Sequence, residues 1–325
     1  MGTPPKDINM RLPDQVLHTC CFLSHKTQEI KFGGTAFVAS VRGAHGNAFM
    51  YLVTAKHVAE ALEHGPFVIG LNQKRGGRAL LDVDDAKWYY HPTEPNAVDA
   101  AVTIFNPEHY ETLNVEWVHE EMFATPGVMQ QAGIGIGDEI SAVGLFTRFS
   151  GKDEYFPIAR IGNLAMLPKE RIPVAEFDPM EAYLAEGRSI GGLSGSPVFV
   201  RQTVNITLQG DKGAMLPFAG TGQIYFLGLM HGHWRVEKAA LEKAGIEASE
   251  AVNMGVSIIV PAHKILEILY QPELVKMRKN IDKEISTATG PVQDSELKKP
   301  ETTFTRADFE AALKKASRKI EPTKS

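Results

Sequence analysis

Three short segments carry residue types suited to nucleophilic acyl transfer. Gly191-Gly-Leu-Ser-Gly-Ser-Pro197 is the first. Gly192 and Gly195 let the backbone bend sharply around Ser194, presenting its hydroxyl while the amides of Gly192 and Ser194 converge on one point. That point would be an oxyanion hole. A serine is a weak nucleophile until a base takes its proton, and the base must be held in one tautomer by a third group. Tyr51-Leu-Val-Thr-Ala-Lys-His57 offers the base, an apolar strand running into Thr-Ala-x-His so that the imidazole projects from a strand end. Ala97-Val-Asp-Ala-Ala-Val-Thr-Ile-Phe105 offers the third group. Its carboxylate, Asp99, precedes a wholly apolar strand, and a buried carboxylate costs free energy unless it is paired. The second ring nitrogen of His57 is its natural partner.

Other residues compete for these roles. Asp82, Asp84 and Asp85 are rival acids, but Leu81-Asp-Val-Asp-Asp85 reads as a solvated turn. His231 and His233 stand at i and i+2 on one strand face, a spacing that could ligate a metal. No third ligand has matching spacing, so the expectation is no metal and no cofactor. Taken singly, His57 reads as well as a strand-end histidine and Ser194 as a turn serine. Their order and company carry the reading.

The elements that must position these groups are short, apolar and β-rich, broken by Gly, Pro, Asn and Asp from about residue 14 to 262. That pattern predicts an all-β sandwich or barrel. Strands are expected near 35–40, 48–54, 67–71, 100–105, 139–145, 156–161, 197–200, 224–229 and 255–260. Short helices are expected over 57–63 and 179–186. Ile265, Ile268 and Leu269 have helical spacing and predict a closing helix over 262–274. Residues 275–325 are expected to form a linker, polar and Pro-bearing over 284–304, and then a short amphipathic helix from Thr305, with Phe309, Leu313, Ala316 and Ile320 on one stripe.

Thr-Ala-x-His, Asp-x-Ala-Val and Gly-x-Ser-Gly-Ser-Pro occur in the order His, Asp, Ser, as in chymotrypsin-like enzymes and not as in subtilisins or α/β-hydrolases. The sequence resembles the trypsin/chymotrypsin-like serine peptidases, in particular bacterial trypsin-like peptidases without disulfides, from about residue 14 to 272. Gly34-Thr-Ala-Phe37 resembles the strand before the histidine, and Gly137-Asp-Glu-Ile-Ser-Ala-Val-Gly144 the opening strand of a second barrel. Gly228-Leu-Met-His-Gly232 resembles the strand lining the primary specificity pocket, and Gly255-Val-Ser-Ile-Ile-Val-Pro261 the last strand before the closing helix. The resemblance implies two six-stranded antiparallel β-barrels, about 14–120 and 130–262, with a C-terminal helix and a short tail. It implies a catalytic triad of His57, Asp99 and Ser194 between the barrels, acting as a serine endopeptidase through an acyl-enzyme. It also implies a substrate pocket holding Arg188, six residues before the nucleophile, with His231 and His233 on its wall; a cation there would favour acidic side chains. Leu193 stands where zymogen-activated members carry an acid, and no Ile-Val-Gly-Gly start is present, which points to control by a regulatory protein partner, by localisation or by ordering of the loop 187–192. A catalytically silent binding or scaffold module is the alternative reading. An esterase using the same groups has no motif of its own.

Composition bounds the partners. The 325 residues carry a formal charge of -5, which gives no global basic field for a nucleic-acid backbone. Cys20 and Cys21 are adjacent, so they cannot staple distant parts of a fold. No apolar run is long enough to span a bilayer, and the N-terminus lacks the basic and apolar pattern of a secretory signal. The expectation is a cytoplasmic protein acting on protein or peptide, without nucleic acid or membrane.

Overall fold

The computed structural model describes residues 12–187, 192–202, 205–208, 215–218, 222–236 and 252–289. Its compact unit ends at Asp282.

The N-terminal half is an eight-stranded sheet. Strands β1 (Cys20–His25), β2 (Gly34–Arg42), β3 (Ala48–Thr54), β4 (Phe67–Asn72), β5 (Arg78–Val83), β6 (Tyr89–Tyr90) and β7 (Ala101–Ile104) run in the order β5-β4-β1-β2-β3-β7-β6. β8 (Val118–His119) pairs in parallel with β2. The C-terminal half is a closed six-stranded barrel. Its strands are β9 (Glu139–Gly144), β10 (Ile158–Met166), β11 (Tyr183–Glu186), β12 (Pro197–Arg201), β15 (Ile224–Val236) and β16 (Val252–Pro261), closing in the order β10-β11-β16-β15-β12-β9. Between β12 and β15, β13 (Asn205–Leu208) and β14 (Met215–Phe218) pair only with each other among the described residues.

Side-chain alternation along a strand explains how the two halves share a core. Every residue of β2 up to Val41 is buried: Ala36 and Val38 face the core of the N-terminal sheet, while Phe37, Ala39 and Val41 face a second layer. In β12, Val198 and Val200 fill the barrel while Phe199 points into that same second layer. There Phe226 meets Phe37 at 5.1 Å and Phe123 at 4.6 Å between ring centroids. Strands this apolar on both faces mark a layer sealed from water between the two halves.

Helices are few. α1 (Asp14–Leu17), α2 (Lys56–Leu62) and α3 (Pro126–Ala132) are short. α4 (Ala262–Leu269) follows β16 and buries Ile265, Ile268 and Leu269 completely in the shared layer. α5 (Pro272–Thr289) starts almost at once. Its Leu274 is fully buried, and buried Arg278 donates at 2.8 Å to both the Tyr51 hydroxyl and the Leu269 carbonyl.

Several expectations need correction. The linker placed from residue 275 begins instead as helix, through Thr289. Leu274 and Arg278 anchor that helix where composition alone reads as polar chain. The helix expected over 179–186 is in part strand β11: Tyr183 and Ala185 are buried alternately, and β10 and β16 supply its backbone partners. The acids at 82–84 lie on and just after an edge strand, with Asp82 in β5 and both Asp82 and Asp84 paired to Lys26, at 3.0 and 3.6 Å. They are thereby removed from the contest for His57. The amphipathic helix expected from Thr305 lies outside the described residues.

Candidate active site

His57 enters the site from a helix start. β3 ends at Thr54, Ala55 is the extended cap residue, and His57 is the second residue of α2. The first amides of a helix have no partner within it, and Ala55 has no side-chain oxygen to offer. The His57 amide is instead met by Asp99, whose Oδ1 accepts it at 3.0 Å. The same carboxylate takes the ring: His57 Nδ1 lies 3.1 Å from Oδ1 and 2.9 Å from Oδ2. Asp99 is wholly buried, in the turn before β7 and between two residues of the shared layer, Val98 and Ala100.

A third donor reaches Asp99. His231, on β15, places its Nδ1 2.5 Å from Oδ2. An ionised carboxylate has no proton to give, so both imidazoles carry theirs on Nδ1. Burial alone would push the Asp99 carboxyl up, but the hydrogen bonds from His231 and His57 and their charges outweigh it and hold it well below the ordinary range. For His57, burial would lower the pKa, but the Asp99 bond and charge, with Glu60 and Glu176 adding, raise it overall.

Ser194 reaches the site from the barrel, half-buried one turn before β12. The expected bend is present, with Gly192 at φ +95° and Gly195 at φ +86°. A Cβ on Gly195 would lie 2.0 Å from the Thr35 carbonyl oxygen, so glycine is required there for space as well as for conformation. The turn is tied down from both sides: Thr35 N donates to the Ser194 carbonyl at 3.0 Å, and Gly195 N to the Met230 carbonyl at 2.9 Å. The fully buried Thr35 hydroxyl donates to the Gly192 carbonyl at 2.7 Å and accepts from Leu145 N at 2.9 Å. The Ser194 hydroxyl donates to the His231 carbonyl at 3.0 Å. To hand its proton to His57 it must rotate away from that carbonyl. Among the described residues no carbonyl accepts from the amides of Gly192 or Ser194.

His57, Asp99, Ser194, Gly192 and His231 thus gather where the sheet meets the barrel. His231 faces the carboxylate, not an open pocket wall, and its ring is only 14% exposed. It packs edge-on against Phe177 at 5.3 Å and against His57 at 5.7 Å. β15 has a register irregularity between Met230 and Gly232, and His233 aligns with Ser257 of β16. Arg188 lies outside the described residues. The third metal donor that strand spacing lacked is supplied by the fold, since His57, Asp99 and His231 bring ligand atoms within 4.8 Å of one another. In this arrangement those atoms are engaged in hydrogen bonds with each other. Thr35 and the carboxylate role of His231 escaped sequence reasoning, although Gly34-Thr-Ala-Phe37 marked the strand and an isolated polar residue in an apolar strand was the available signal.

A closed six-stranded barrel beside a second β-sheet is consistent with a trypsin-like fold, and in it a histidine on a buried carboxylate stands near a serine in a Gly-rich turn. Among similar solved structures is the MamO protease domain from Magnetospirillum magneticum, at 12% identity and a TM-score of 0.47, over 78% of this chain and 96% of that one. The HtrA-type protease AlgW, bound to a tripeptide, is 14% identical with a TM-score of 0.45, over 80% of this chain and 62% of that one. A serine endoprotease from Yersinia pestis is 13% identical with a TM-score of 0.43, over 82% and 68%. No protein-family model matches the chain, and no curated protein matches it either. At such identities and TM-scores the overlaps decide nothing about activity.

Proposed function

We propose that the chain is a serine endopeptidase whose triad is His57, Asp99 and Ser194. The observation that carries this reading is the buried Asp99 bonded to His57 Nδ1 at 2.9 Å, which leaves Nε2 as the free basic nitrogen. Nε2 accepts the Ser194 proton as Oγ attacks a substrate carbonyl, forming a tetrahedral oxyanion. The amides of Gly192 and Ser194 stabilise that charge, His57 returns the proton to the leaving amine, and water hydrolyses the acyl-enzyme by the same steps in reverse. The substrate is a protein or peptide, and no cofactor takes part. The two cysteines support a reducing, cytoplasmic setting, since both are free thiols. Comparing new protein N-termini generated in a cell extract by the wild type and by Ser194→Ala tests the reading. Termini that depend on Ser194 support it, and identical sets refute it.

A second reading, a trypsin-like module that binds without turning over, is favoured by one observation. The Ser194 hydroxyl donates to the His231 carbonyl and not to His57. Under that reading a peptide would bind without being cleaved and without acylating Ser194.

A further inference from the structure

We infer that His231 is a positioning residue for the triad, the second of two imidazoles that share the Asp99 carboxylate. The inference rests on the proposed peptidase reading and adds to it a group that neither motif nor chain order singles out for this role.

Asp99 has no contact with water, so every lone pair it uses must be met by the protein. Oδ1 receives the His57 amide, and His57 Nδ1 spans both oxygens. Oδ2 receives His231 Nδ1 at 2.5 Å, shorter than its 2.9 Å contact with His57. Rotation of the carboxylate about its Cβ–Cγ bond is blocked only if both oxygens are held. His57 holds both oxygens from the sheet side, through its amide and Nδ1, whereas His231 holds Oδ2 from the barrel, on a strand paired to both β12 and β16. The His231 ring is held in turn by Phe177, edge-on at 5.3 Å. His231 also touches the third triad member through its backbone, because its carbonyl accepts the Ser194 hydroxyl at 3.0 Å. One residue therefore fixes the carboxylate with its ring and the resting rotamer of the nucleophile with its main chain. Only the ring can be removed by substitution, and this makes the inference testable.

Asparagine at position 231 keeps a nitrogen donor at the same number of bonds from the backbone as His Nδ1, while alanine removes it. The experiment measures two things on wild type, H231A and H231N. One is the second-order rate of Ser194 labelling by a fluorophosphonate. The other is the set of strongly deshielded ring N–H protons in the proton NMR spectrum. The wild type is expected to show two such resonances, one lost in His57→Ala and the other in H231A and H231N. Displacement of a reacting group by about 1 Å costs roughly a hundredfold in rate, so H231A should label about a hundredfold more slowly, with its His57 resonance shifted or broadened. H231N should restore most of the rate and a wild-type His57 resonance. Equal labelling by H231A and wild type, with an unchanged His57 resonance, would overturn the inference. So would a wild type with one deshielded proton. If the wild type does not label at all, the peptidase reading fails, while the NMR comparison still decides whether His231 holds the carboxylate.

Discussion

Replacing Thr35 by valine removes one hydroxyl and little volume, so its cost reports on hydrogen bonding alone. Thr35 is fully buried at the start of β2, and its Oγ1 bridges from the Gly192 carbonyl, at 2.7 Å, to the Leu145 amide, at 2.9 Å. Valine leaves both backbone groups buried and unmet. Each unsatisfied group costs about 1–3 kcal/mol, so the loss should be about 2–6 kcal/mol. In a domain of this size that lowers Tm by roughly 5–15 °C. The turn that carries Ser194 would loosen with it, since the Gly192 carbonyl is then free to rotate and carry the following peptide away from the oxyanion position. Removal of one oxyanion donor elsewhere costs on the order of 10²–10³ in rate, so fluorophosphonate labelling should fall by about that factor. Scanning calorimetry and a labelling time course on the same preparation read the two effects. A T35V protein within about 0.5 kcal/mol of wild type, labelling at the wild-type rate, would refute the argument that this hydroxyl braces the turn.

Three further outcomes follow from the same physics. Ser196 is buried beside that turn, and its hydroxyl has no partner among the described residues, so Ser196→Ala should leave stability unchanged or raise it by about 1 kcal/mol in chemical denaturation; a loss above 1 kcal/mol would show that the hydroxyl is bonded. The pKa of His57 is raised in the fold, so the fold favours its protonated form. That contribution to stability is present below about pH 6.5 and lost as pH rises through the folded value. The base becomes available over the same rise, so the acid limb of the labelling profile should have its midpoint above pH 6.5 in wild type and lower in Asp99→Asn; an unmoved midpoint would mean that Asp99 does not set the basicity of His57. Burial pushes the Cys20 thiol up to about 12 and the Cys21 thiol up as well, so iodoacetamide at pH 8 should modify neither in the native protein and both after unfolding, as counted by intact mass.

The parts of this fold that were legible in the sequence are those where a local rule and the tertiary structure agree. Strand β3 runs from 48 to 54 as its apolar run predicts, because it lies in the middle of a sheet with β2 and β7 on its flanks. His57 and Asp99 meet because a helix start leaves an amide that a buried acid can take along with the ring, and the Gly-rich bend places the Ser194 hydroxyl on the His231 carbonyl beside them. Strand β1 was missed, since Cys20–His25 is short and mixed in character, and only its partners β2 and β4 make it a strand. The stretch at 183–186 passes for helix until β10 and β16 claim its backbone. His231 shows the same limit at the site. Its strand was recognised, but its ring partner Asp99 lies far away in the chain, and no spacing rule reveals that pairing.

The central claim is that Ser194 is a nucleophile activated by His57 and Asp99. Its most direct test is mass spectrometry of the intact protein after exposure to a fluorophosphonate, with the adduct mapped by peptide sequencing. The account predicts one adduct per chain, on Ser194, absent from Ser194→Ala and formed far more slowly in His57→Ala. A wild type that stays unmodified, or an adduct on any other residue, would contradict it.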